Sequence, residues 1–238
     1  MSDDKWKIII GKLLAKAEDP ATTPEERETI QDRVVYLMAK FSIDQSILDA
    51  KEKKEYKVIP VRYKITNPYK NQRTLLLNNI GITFGCSITM HMGDDSYTLY
   101  GHEDDQEKVF ILYNSLLIQM FTAMASAQEF KPTHEHGKRF NTSFVNGFVL
   151  TVISRVKDAY TRAKQDVQET DTGNGAELVL VDRKKAVDDI FNRIFPKFTT
   201  NAMNLTTTSA HGSRAGHSAG RNADIGQTGL SGRKSIGS

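Results

Sequence analysis

The stretch KIIIGKLLAKAEDPATTPEERETIQDRVVYLMAKFSID, residues 7–44, sets the frame of the fold. Together with Trp6, residues Ile9, Ile10, Leu13, Leu14 and Ala17 fall at i, i+3, i+4, i+7, i+8 and i+11, one face of a helix. Ser2 is placed to cap it, Asp3 and Asp4 suit its positive end, and Pro20 stops it. Thr23-Pro24-Glu25-Glu26 then restarts the chain: Thr23 as N-cap, Pro24 as first helical residue, Glu26 as reciprocal capping-box acid. Ile30, Val34, Leu37, Met38 and Phe41 form a second apolar stripe. The short connection predicts antiparallel neighbours, a helical hairpin over residues 3–42. Asp44 can cap a third short helix carrying Ile47 and Leu48, and 51–56 reads as a charged linker.

Beyond the linker the periodicity changes. Residues 57–65 read as a strand, at a sheet edge because of Pro60. Asn67-Pro68 reads as the start of a helix that turns Tyr69, Leu76, Leu77, Ile80 and Phe84 inward and ends at Gly85. Cys86, Ile88, Met90 and Met92 alternate before the Gly93-Asp94-Asp95-Ser96 turn, a hairpin signal. Asp104 and Glu107 open a helix in which Val109, Leu112, Tyr113, Leu116, Leu117, Met120, Phe121 and Met124 keep helical spacing. After a loop at 131–139, a helix over 140–168 carries Phe144, Phe148, Val152, Ile153, Val156 and Tyr160. ELVLV (177–181) reads as a short strand, and Asp182 as the cap of a helix that ends at Pro196.

The fold class is therefore α+β: a helical hairpin, then a small, mostly antiparallel sheet with packed helices, then a disordered tail. The divisions are a hairpin domain (1–50), a linker (51–56), an α+β domain (57–198) and a flexible tail (199–238). The tail is rich in Thr, Ser, Gly, Ala and Asn, so its default is disorder. It has a pattern all the same. Gly212, Gly216 and Gly220 recur every fourth residue, as do Ala215, Ala219 and Ala223. Such a ridge of small residues permits close backbone approach. Three readings stand: a solubilising tail, an arm that orders on nucleic acid or a partner, or a segment that docks on its own fold through its Gly/Ala face.

Charge locates the basic character. Arg214, Arg221, Arg233 and Lys234 against Asp224 alone account for the net charge of +3. Lys131, Lys138 and Arg139 form a second basic group, and these seven residues are the candidate nucleic-acid contacts. His134-Glu135-His136, with His102, is the candidate metal set of an alternative, hydrolytic reading. The i, i+2 spacing lacks the i, i+4 geometry of a helical zinc site. TGNG (172–175) lacks the lysine and length of a phosphate loop and precedes a predicted strand instead of following one. No motif specifies a catalyst, so enzymatic activity is left open with the balance against it, and no cofactor is expected.

Cys86 stands alone, which excludes an intrachain disulfide and suits a reducing cytoplasm. Its apolar surroundings make it a small core residue. No apolar run is expected to approach the roughly 20 residues of a membrane span, and the N-terminus has no signal-peptide pattern.

Lys12-Leu13-Leu14-Ala15-Lys16-Ala17 and Leu37-Met38-Ala39-Lys40-Phe41-Ser42-Ile43-Asp44 resemble the domain of unknown function 2786 family. The similarity covers about 40 residues. Phe84-Gly85-Cys86, Tyr100-Gly101, Phe144-x-x-Gly147-Phe148 and the tail spacing look like the larger region that often follows in that family. The break Asp19-Pro20-Ala21-Thr22-Thr23-Pro24 departs from its usual Asn- or Gly-containing turn. The resemblance implies a bacterial or phage accessory protein, in the host cytoplasm if phage-encoded. It implies no activity and no functional residues. The expected function is a non-enzymatic binding module for nucleic acid or a host protein. The alternatives are a metal-dependent hydrolase built on the His134-Glu135-His136 loop and a homo-oligomeric assembly protein.

Overall fold

The computed structural model describes residues 4–19, 23, 26, 30, 33–41, 57–91, 94–170, 175–197 and 205–223. Its elements are α1 (Asp4–Glu18), α2 (helical residues 33–41), β1 (Val58–Lys64), α3 (Lys70–Thr83), β2 (Ser87–His91) and β3 (Ser96–His102). Then follow α4 (Glu103–Glu129), α5 (Gly137–Thr170), α6 (Gly175–Ile194) and α7 (Ala210–Arg221). The described residues form the expected α+β fold.

The capping box is present. Glu26 N–H donates to Thr23 Oγ1 at 3.2 Å, and Thr23 N–H donates to Glu26 Oε2 at 3.3 Å. Ile10, Leu14, Ile30, Val34 and Met38 are buried, and Val35 and Ala39 join them. Ile9 is exposed, so the inward stripe of α1 is narrower than its periodicity suggests. Ile10, Leu14, Val34, Val35 and Met38 share one buried cluster with Leu76, Leu99, Leu112 and Phe148. The Ser2 cap, Pro20, Pro24, the helix expected at Asp44 and the 51–56 linker lie outside the described residues.

The sheet runs β1-β3-β2, antiparallel throughout, so the Pro60 strand is at an edge as expected. Directly paired residues share a face. Val61, Leu99 and Ile88 therefore line one side, on which Tyr63 packs against Phe110 of α4. Gly101 lies on this side too, and Cys86 Sγ fills the space where a Cβ would sit. On the opposite side Tyr100 packs edge-on to Phe191 and Phe195 beside α6. Gln106 of α4 ties helix to sheet by donating through Nε2 to the carbonyls of Ile59 and Gly101.

Four local expectations are corrected. ELVLV is helical, part of a continuous 20-residue α6 in which Asp182 is internal. A five-residue apolar run does not distinguish strand from helix, and here the run continues without a break into Val187 and Phe191. The helix after Asn67-Pro68 begins at Lys70, with Tyr69 in a left-handed cap and packed on Phe121. Met90 does face the same side as Ile88, but at the outer edge near the turn it is 53% exposed; Thr89, on the other side, is buried. Finally, α4 contains an 18-residue window of mean hydropathy 1.5, so by length and composition alone it could cross a membrane, contrary to the expectation that no apolar run approaches that length. Val109, Leu112, Leu116 and Met120 of α4 lie in the core.

The largest correction concerns the tail. Residues 205–223 dock on α5, so the third reading holds for them; 224–238 lie outside the described residues. Gly212, Gly216 and Gly220 lie over the backbones of Phe140, Phe144 and Phe148, so α7 runs parallel to α5 in matched steps of four. Gly147 of α5 meets the backbone of Ser213 and His217 in return. Polar clamps fix the ends. Ser143 Oγ accepts from the N–H groups of Thr208 and Ser209, each at 3.0 Å. Ser209 caps the helix by accepting from Gly212 N–H at 2.8 Å. Arg155 donates to the carbonyls of Gly220 and Ala223.

A methyl group at Gly216 would collide with the Phe144 carbonyl, whereas one at Gly11 meets nothing within 4 Å. Gly216→Ala is therefore expected to lower stability by at least about 2 kcal/mol, as overpacking does. Gly11→Ala should be neutral or stabilising by up to about 1 kcal/mol. Urea melts and hydrogen exchange of 210–221 measure both; equal effects would refute the backbone-contact account.

Candidate functional site

The docking of α7 leaves a groove beside it. The glycine face of α7 is spent on α5, and its alanine face, Ala215 and Ala219, looks across at α4, with Ala223 just beyond the helix. The facing part of α4 is also built of small side chains, Thr122, Ala123, Ser126 and Ala127. Two walls of small residues cannot fill the space between them. The result is an open groove of about 800 Å³, floored by Phe140, Phe144 and Phe148. Ile118 of α4 stands at one end, 55% exposed, and Phe130 at the other, 85% exposed. The lining contains two titratable residues, His211 and Arg214, both in the first half of α7.

The sequence-predicted sites separate in space. His102 stands at the N-terminus of α4, whereas His134 and His136 follow its C-terminus. A 27-residue helix spans about 40 Å, so the three histidines do not form one metal site. Among the described residues no group of three or more His, Cys, Asp or Glu side chains is placed to hold a metal. His134 and His136 are exposed, and His136 Nδ1 accepts from Lys138 N–H at 3.3 Å. Glu135 turns inward, its Oε2 3.7 Å from His211 Nδ1. Lys131 donates to the carbonyl of Glu135 at 2.6 Å and so closes the loop. Lys138 and Arg139 occupy the first turn of α5, and Arg214 and Arg221 lie on α7; all four are exposed. Arg233 and Lys234 lie outside the described residues. Of these cations Arg214 lines the groove, while Lys131, Lys138 and Arg139 belong to the segment between its lining residues Phe130 and Phe140. The basic grouping was legible in the sequence, but the groove beside it was not.

His102 belongs to a different constellation, which sequence reasoning missed. Arg183 of α6 reaches Asp105 at 2.9 Å, and Lys108 lies 3.7 Å from the same carboxylate. All are buried, and His102 Nε2 lies 3.4 Å from the Arg183 carbonyl. A cavity of about 170 Å³ adjoins them, lined also by Phe84 and Tyr160. Burial, and then the Arg183 charge, pull the His102 imidazole below its ordinary pKa. Burial likewise lowers Lys108, against the pull of Asp105. Burial pushes the Cys86 thiol up, which agrees with an inert core residue. The cluster fastens α6 to the start of α4 and the end of β3. The spacing of Asp105 and Lys108 was visible, but nothing in the sequence pairs either with a residue about 80 positions away.

Fold and site together define an α+β protein with an apolar, basic-ended groove on its helical side. Residues 10–45 match a family described as "Protein of unknown function (DUF2786)", in agreement with the resemblance of the hairpin motifs. No curated protein and no solved structure matches the chain.

Two predictions follow from the buried cluster. Asp105→Asn leaves buried cations without their carboxylate and should cost about 3–5 kcal/mol in urea melts, whereas Asp105→Leu with Arg183→Met should cost less. His102 has a depressed folded pKa, so the unfolded chain takes up its proton first as pH falls. Its contribution is present above the unfolded value of about 6.5 and is lost below it as pH falls toward the folded value. Stability measured from pH 7.5 down to 5 should fall less steeply in His102→Gln; identical slopes would refute the assignment.

Proposed function

We propose that this protein is a non-enzymatic binding module that holds a protein partner in the groove between α4 and α7. The groove itself carries the reading. A concave groove of about 800 Å³, open to solvent, floored by three phenylalanines and ended by an exposed one, has the shape and chemistry at which a partner's side chains dock. Its lining combines aromatic and small apolar side chains with neutral polar ones such as Gln119, Ser126 and Asn222, a mixture that suits docking. Small residues on both walls leave room for a partner's larger side chains to interdigitate.

Ala219→Trp places a bulky ring in the groove while leaving the glycine face of α7 untouched. Random 16-residue peptides can be selected by display on the full-length protein, then measured by anisotropy on both forms. Selected peptides are expected to lose at least about tenfold in affinity on Ala219→Trp, with the melting temperature unchanged. A selection that yields no peptide sensitive to Ala219→Trp would overturn the reading.

A further inference from the structure

We infer that the groove takes an amphipathic helix with acidic side chains along the edge that meets the start of α7. This rests on the groove being a protein-docking surface, and adds the conformation and charge of the occupant.

The conformation follows from what the walls can offer. All the lining elements, α4, α5 and α7, are helices, apart from the loop residues at the ends. Their main-chain groups are largely bonded within the helices, and no strand edge faces the groove. An extended segment lying there would lose water from its own N–H and C=O groups with no backbone partner to replace it. A helix brings those groups already bonded and presents only its side chains. The α4 wall from Ile118 to Phe130 spans about 18 Å, the length of about three helical turns.

The charge follows from what surrounds the Phe130 end. His211 and Arg214 line the groove there, one helical turn apart, and among the described residues no carboxylate lines it. Lys138 and Arg139 stand exposed in the adjoining first turn of α5, and Lys131 lies in the loop before it. Because α5 and α7 run parallel, their N-termini lie side by side at this end and add positive potential. Against these stand Glu129, exposed at the end of α4, and Glu135, whose carboxylate already faces His211. The α4 wall is neutral, with Gln119, Thr122 and Ser126. The field is therefore one-sided: positive along the start of α7, and neutral along the α4 lining with Glu129 beyond its end. A helix whose carboxylates sit one turn apart on a single edge, at one end of its apolar stripe, matches it.

The test uses three synthetic helices of about 14 residues, lactam-bridged and fluorescein-labelled. They share one apolar stripe, and two edge positions one turn apart carry Glu, Gln or Lys. Anisotropy is measured on the full-length protein, on Ala219→Trp and on Arg214→Glu. The Glu-edged helix should bind the native protein at least about tenfold tighter than the Lys-edged one, and about 0.5 M NaCl should narrow the gap. Arg214→Glu should reverse the order, and Ala219→Trp should abolish binding of all three. If all three bind the native protein equally and Ala219→Trp abolishes it, the charge inference falls while the groove reading stands. If Ala219→Trp leaves binding intact, or none binds, both fall.

Discussion

The contact between the backbones of α5 and α7 governs the helical side of this protein. A 12-residue helix with three glycines and no large apolar side chain does not form alone, since short helices are marginal even in alanine-rich sequences. Each glycine adds up to about 1 kcal/mol of further cost relative to alanine. Yet those same glycines let α7 lie directly on the carbonyls of Phe140, Phe144 and Phe148, with Gly147 reciprocating. Close packing over the full length, with the clamps from Ser143, Thr151 and Arg155, offsets the cost. The spacing familiar from apolar membrane helices thus serves in a polar segment, because the requirement is steric.

That contact also makes the groove. With its glycine face used up, α7 turns its alanines toward α4, where they meet another run of small residues. Helix α4 consequently lives in two environments. Its first half is held in the core by Val109, Leu112 and Leu116, and at its start by the Asp105–Arg183 pair that fastens α6. Its second half buries Met120 on one side, lines the groove on another and leads to the exposed Phe130. Folding and the candidate interface therefore use different residues of the helix: the apolar stripe enters the core, and Ile118, Gln119, Thr122, Ala123, Ser126 and Ala127 form the groove wall.

Legibility differed by element for physical reasons. The hairpin was read correctly because capping and periodicity act over three or four residues, as the Thr23–Glu26 box shows. The edge position of β1 was read from Pro60, whose missing donor is a local property. Local reasoning failed at ELVLV, where composition fits either state, and at the tail, where composition argued for disorder and only the spacing hinted at docking. Of the candidate site, the cations Lys138, Arg139 and Arg214 were visible. Phe130 and Ile118 were not singled out, since exposure of an apolar residue depends on what else covers it. The grouping of His102 with His134 and His136 failed because a helix of about 40 Å stands between them.

The sequence by itself determined the helical hairpin, the β2–β3 hairpin, the edge position of the proline-containing strand, the long amphipathic helices, the inert buried cysteine and the periodic Gly/Ala ridge. Each rests on interactions between near neighbours in the chain. Only the tertiary structure decided where that ridge lands, which face of α7 remains open, and how Asp105, Lys108 and Arg183 meet. These depend on pairings across some 70 to 80 residues, which no local spacing encodes. The groove is the clearest case. It is a space between elements, and it exists because small residues on α4 and α7 face each other only after α7 has docked on α5.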